Sequence, residues 1–450
     1  MLCGAARALA CVFKSGRREA LLPYANGAWA AAAALASGAG ASGGSLARLL
    51  ATKLAQRVAL VALAPTVAPW RYQRGCRSLE ANLAAAPEAG EVGAASAALA
   101  DAADAECNDD DEDFEMDEVA GEVLEDVIEA LLSSLRDKDT VVRWSAAKGL
   151  GRITGRLPSS LADDVVGSVL ELLCAVEGDG AWHGACLAVA ELARRGLLLP
   201  ARLPEAVPLV GAALVYDVRR GAHSVGSHVR DAAAYCCWAF ARAYAPEVMA
   251  AHINALAPPL IVAACLDREL HCRRAAAAAF QECVGRLRNV PHGLELVRAV
   301  DYFAVGQRQS AYLEVALAAA AHEPYRRALL EHALRVTLPH WEPATRTLGS
   351  TCLARIAKLD TEWAIDTALP ELCGRALSRE ITERHGAVLG VAELLPALAE
   401  AGATLPAEVS TQAANLVLDI ERVRRAGVPS LRASTVFTPH VGSDLGGAAC

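Results

Sequence analysis

Ser145-Ala146-Ala147-Lys148 sets a lysine one helical turn after a serine, the S-x-x-K spacing of penicillin-recognising enzymes. The chain offers no Lys-Thr-Gly or Ser-Asp-Asn companion, so the motif reads as part of a helix. Ala222-His223-Ser224-Val225-Gly226 falls one residue short of a nucleophile elbow, which needs a strand before the serine and a helix after it. Nothing upstream reads as a strand. Gly149, Gly151 and Gly155 approximate a dinucleotide loop, but the third glycine comes one residue late, inside a helix-rich segment. No catalytic residue and no cofactor site is assigned.

The eleven histidines include no H-x-x-x-H pair, and His183 near Cys186 or His271 beside Cys272 lacks the further ligands of a zinc site. No metal site is expected. Fourteen cysteines sit in apolar helical patterns such as Tyr235-Cys236-Cys237-Trp238, without any CxxC, which suits buried free thiols in a reducing compartment.

The elements that carry these residues follow from composition. The 450 residues are 54% hydrophobic and only 5% aromatic, with the apolar share held by Ala and Leu. That favours helix over strand, and excludes wholesale disorder. The net charge of −9 is unevenly distributed. Residues 1–79 hold ten Lys/Arg and one acid, residues 80–135 hold eighteen acids and no base, and residues 136–450 hold 33 of each sign. A strongly basic nucleic-acid binder would not look like this. The longest charge-free run, Ala20 to Ala47, is too rich in Gly and Ser to span a membrane.

Five regions are expected: a low-complexity Ala/Gly-rich stretch at 1–50, a short helical segment at 51–100, an acidic linker at 101–118, a helical repeat array at 119–427 and an irregular tail at 428–450. Turns leading into Ala-rich helices recur with anchors at 143, 181, 230, 273, 346 and 384. The intervals are 38, 49, 43, 73 and 38, with a degenerate repeat inside the 73, which is the period of HEAT or armadillo units. The expected fold is therefore an all-α solenoid. Asp137, Asp139, Arg143, Arg230, Asp231, Arg273, Arg346 and Arg384 read as a structural ladder between stacked units, and the prolines as breakers between helices. A solenoid of this kind binds proteins, and a generic HEAT adaptor or transport-receptor scaffold is one such reading.

A second line of reading comes from Asp137-Lys138-Asp139-Thr140-Val141-Val142-Arg143-Trp144, Ala181-Trp182-His183-Gly184, Val229-Arg230-Asp231-Ala232-Ala233, Pro291-His292-Gly293 and Asp301-Tyr302-Phe303-Ala304-Val305-Gly306. In this order, with Trp70 to Leu79 and the acidic run upstream, they resemble the tubulin-specific chaperone D, or tubulin-folding cofactor D, family across roughly residues 50 to 425. The resemblance implies a non-catalytic cytoplasmic, microtubule-associated chaperone that binds β-tubulin after chaperonin release. It further implies assembly of the αβ heterodimer with other tubulin-folding cofactors, GTPase activation toward tubulin, and binding of an Arf-like small GTPase. Trp182, His183, Arg219, Arg220, Tyr302 and Phe303 are the surface residues proposed for partner binding. Family members have a large C-terminal helical region that this sequence lacks, so an exposed apolar face on the last repeat is expected.

Overall fold

A computed structural model describes residues 2–38, 44–65, 118–221, 223–287, 289–407 and 411. The part of the expected helical segment 51–100 beyond Pro65, the acidic linker short of Glu118 and the tail at 428–450 lie outside them.

The chain is an α-solenoid of HEAT/armadillo-like repeats. The Ala/Gly-rich start carries helices α1 (Leu2–Ser15), α2 (Ala25–Gly38) and α3 (Ser45–Ala62). Helix pairs follow: α4 (Glu118–Ser134) with α5 (Thr140–Thr154), α6 (Ser159–Leu170) with α7 (Asp179–Arg194), α8 (Leu203–Leu214) with α9 (Ser227–Ala243), and α10 (Ile253–Leu266) with α11 (Leu270–Arg286). The degenerate repeat consists of short α12 (Gly293–Ala299) and α13 (308–320). Two pairs close the described array: α14 (323–337) with α15 (Pro343–Ala357), and α16 (361–375) with α17 (Ile381–Glu400).

The second helix of each pair packs on the second helix of the next, in the series α5, α7, α9, α11, and again α13, α15, α17. Helix α3 stands at the head of this row against α5, and α1 and α2 pack upon α3. The small residues that mark these helices set the close approach. A Cβ at Gly184 would overlap the Leu135 carbonyl at the end of the preceding α4, and one at Gly386 would overlap Leu338 after α14. Only glycine lets the two backbones meet there.

Not every proline breaks a helix. Pro208, Pro258, Pro259 and Pro396 lie inside α8, α10 and α17. In α10 the apolar residues Ile253, Leu256 and Leu260 to Leu266 are all buried, and each large side chain contributes about 1.5–3 kcal/mol. That outweighs the ~3 kcal/mol an interior proline costs.

Among the described residues the helical architecture has one exception. Between α8 and α9 an antiparallel hairpin, β1 (Val218–Arg220) and β2 (His223–Val225), pairs Arg219 with Ser224. Gly221 turns it with φ +64°. The sequence reading found no strand here, because three-residue strands show too little alternation to be visible.

Candidate protein-binding surface

The fourth residue of five of the second helices does the same work. It is Arg143 in α5, Arg230 in α9, Arg273 in α11, Arg346 in α15 and Arg384 in α17, all buried. Each guanidinium donates back to a carbonyl of its own inter-helix turn: Arg143 to Asp137 O, Arg273 to Asp267 O (3.0 Å), Arg346 to His340 O (2.6 Å) and Arg384 to Ser378 O (2.9 Å), six positions upstream in every case. Arg230 reaches Tyr216 O at 2.8 Å, fourteen positions back, because the hairpin inserts eight residues into its turn.

Four of these arginines also reach forward to the following unit. Arg143 Nε donates to His183 Nδ1 (2.8 Å), Arg230 Nε to Asp267 (2.5 Å), Arg273 Nε to Val305 O (2.8 Å) and Arg346 Nε to His385 Nδ1 (3.1 Å). The turn residue that opens each rung fixes its own loop as well. Asp137, Asp267, His340 and Ser378 each accept the N–H two residues on. Arg48, fourth residue of α3, has the same position and ion-pairs with Asp137 (2.8 Å) and with Asp139. The sequence reading missed it, since 95 positions and the acidic stretch separate it from Arg143.

Two of the proposed surface residues are corrected by these contacts. Trp182 and His183 are only 8% and 4% exposed. Trp182 occupies the rung position of α7, where its indole N–H donates to Cys174 O at 2.9 Å in place of an arginine. His183 accepts from Arg143, and burial, then the Arg143 and His228 charges, push its pKa down to about 3. Asp231 also falls outside the rungs: it is half-buried, and the carboxylate that Arg230 finds is Asp267. Burial alone would lower the Arg230 guanidinium, but Asp267 more than offsets this and raises it.

Arg219 and Arg220 are exposed, yet both are engaged. Arg219 pairs with Glu380 at 2.9 Å, and Arg220 with Asp179 at 2.7 Å. On the neighbouring strand Ser224 accepts from Arg268 (2.7 Å) and from the Trp341 indole (3.0 Å). Neither donor can take a proton, so the hydroxyl has no base and anchors the hairpin. Ser145 likewise accepts from Gln56 at 3.1 Å, while Lys148 lies over the Trp144 ring.

Tyr302 and Phe303 are the exposed pair. The Asp301 carboxylate accepts the Phe303 and Ala304 N–H groups and holds the turn, leaving Phe303 82% and Tyr302 46% exposed. Arg274 lies 4.2 Å from the Tyr302 ring centre. An aromatic tip beside a cation, on a rigid turn, is a protein-contact chemistry.

Among the described residues, one group brings potential metal ligands together: Glu295 Oε2 lies 3.2 Å from His322 Nε2 and 3.7 Å from His292 Nδ1. Thirty positions separate the two histidines, so no local spacing signalled it. The buried thiols are free, and burial pushes Cys283 and Cys352 up to about 12, which leaves them inert. No described helix is long and apolar enough to cross a membrane.

Residues 46–294 match the family described as tubulin-specific chaperone D-like, ARM repeats. The tubulin-specific chaperone D of Dictyostelium discoideum is 38% identical over 274 residues, 59% of this chain and 18% of that protein. The tubulin-folding cofactor D of Schizosaccharomyces pombe is 33% identical over 248 residues, 52% of this chain and 22% of that one. The chain thus spans about a fifth of these relatives' length. A solved structure of Kap121p bound to Ste12p covers 94% of this chain and 48% of its own at 13% identity, with a TM-score of 0.34, too loose to carry an argument.

Proposed function

The chain belongs to the tubulin-specific chaperone D-like family of ARM-repeat proteins, and from that premise we propose that it acts as a tubulin-folding cofactor. It holds β-tubulin after chaperonin release and, with the other tubulin-folding cofactors, helps assemble the αβ heterodimer in the cytoplasm, in association with microtubules. Its GTPase-activator role works on tubulin's own nucleotide, through contact and without a catalytic residue of its own. An Arf-like small GTPase is a further partner.

The observation that carries this reading is the family match through residues 46–294. The exposed Tyr302–Phe303 turn supports it as a contact point, since aromatic side chains dominate protein interfaces. The test is co-purification of tagged 1–450 from a eukaryotic lysate at moderate salt, probed for β-tubulin against α-tubulin and an Arf-like GTPase. Selective recovery of β-tubulin is expected. Recovery of neither tubulin from folded protein would overturn the proposal and favour the generic adaptor.

A further inference from the structure

The head of the solenoid concentrates positive charge in one place. A groove of about 600 Å³ runs between the end of α1, one face of α3 and one face of α5. Its walls carry Lys14, Arg18, Lys53, Arg57, Lys148, Arg152 and Arg156, and among the described residues no Asp or Glu lines it. Helical spacing produces the clustering: Lys53 and Arg57 are four apart on α3, and Lys148, Arg152 and Arg156 follow at the same interval along α5 and just beyond it. Like charges at that spacing work against the helix rather than for it.

None of the seven is ion-paired among the described residues. Three of the arginines are held instead by carbonyls. Arg18 donates to Val61 O and Ala62 O (both 2.9 Å), Arg156 to Leu60 O (2.7 Å) and Arg57 to Ala10 O. These contacts fix the cations without neutralising them. Burial, and then the nearby Arg18, lower the Arg156 guanidinium from its ordinary value, as expected of two cations held together without an anion. Gln56, bonded to Ser145, ties α3 to α5 along the same faces, so the groove is built by rigid elements.

We propose that this groove binds an acidic polypeptide segment, an Asp/Glu-rich stretch of a partner chain, laid between α3 and α5. Charge complementarity selects the acidity, and apolar wall residues such as Phe13, Leu49 and Leu60 suit a peptide backbone with mixed side chains. Single-stranded nucleic acid fits less well, because base stacking needs a free aromatic face. Trp144, the tryptophan of the groove, is already covered by Lys148 and packed on Tyr235. The inference stands independently of the tubulin reading.

The test is fluorescence anisotropy of a labelled Asp/Glu-rich peptide with the full chain, at low and high salt, beside a neutral scrambled peptide and a single-stranded oligonucleotide. The paired variant Lys53→Gln with Lys148→Gln removes two charges that make no bond to backbone, and circular dichroism checks its fold. Selective binding of the acidic peptide, weakened by salt and about tenfold by the variant, is expected. Equal binding by the variant, or tighter binding of the oligonucleotide, would overturn the proposal. Binding that emerges only after Asp109, Asp110, Asp111, Glu112 and Asp113 are changed to amides would assign the groove to the chain's own acidic stretch, which also overturns a partner in trans.

Discussion

Arg143 and His183, forty positions apart, form one hydrogen bond that joins two repeats: the guanidinium Nε donates to the imidazole Nδ1 at 2.8 Å. The acceptor role requires a neutral ring. The folded-state pKa of His183 lies near 3, below its ordinary 6.5, so the ring is neutral in the fold where an unfolded chain would take up a proton. Burial of the ring, more than the Arg143 charge, sets that difference, so the fold loses stability as the pH falls from about 6.5 toward 3, by at most about 1.4 kcal/mol per pH unit, and keeps it in full above about 6.5. Urea unfolding across that window should therefore show a shallower pH slope for His183→Asn, which keeps an acceptor but cannot titrate. An unchanged slope would remove His183 from the account.

The glycines that follow the rung-accepting histidines, Gly184 and Gly386, make a steric prediction. Gly184→Ala and Gly386→Ala drive a methyl group into a main-chain carbonyl, and each should cost about 1–3 kcal/mol in chemical denaturation. Gly374→Ala, in α16 with open space around the site, should be neutral or stabilise by about 0.5–1 kcal/mol. Equal effects at all three positions would contradict the close approach.

At Arg230 the partner matters more than the bond. Arg230→Met leaves the buried Asp267 carboxylate without its cation, an expected loss of about 3–5 kcal/mol. Adding Asp267→Asn to that variant should recover much of the loss. A double-mutant cycle on the thermal midpoint measures this, and strict additivity would argue against the pairing.

Phe303 offers the opposite combination. With its ring 82% exposed, Phe303→Ala should change stability by less than about 0.5 kcal/mol while reducing β-tubulin recovery in the co-purification. Undiminished recovery would exclude the aromatic turn as a contact.

Much of the array is legible in the sequence because its repeat is written in residue type. An Arg at the fourth helical position, an Asp or its substitute six residues before, and small residues after give the period directly. What stays hidden depends on contacts between distant segments. Arg48 belongs to the same series but sits 95 positions before Arg143, so no interval identifies it. Trp182 and His183 read as surface aromatics because the arginine they replace is missing, and only packing shows that the rung position is filled by an indole. The groove escaped for a related reason: its cations come from three separate stretches, Lys14 and Arg18, Lys53 and Arg57, and Lys148 to Arg156, none of which stands out alone.

The hairpin between α8 and α9 has a consequence for how the molecule comes apart. Stacked repeats ordinarily touch only their neighbours, and such arrays can fray from an end one unit at a time. Here Arg220 holds Asp179 while the adjacent Arg219 holds Glu380, and Ser224 is gripped from Arg268 and Trp341. Units that are not neighbours in the stack thus share one clasp. Denaturation from α17 inward should stall at this clasp and then release the units it joins in a single cooperative step.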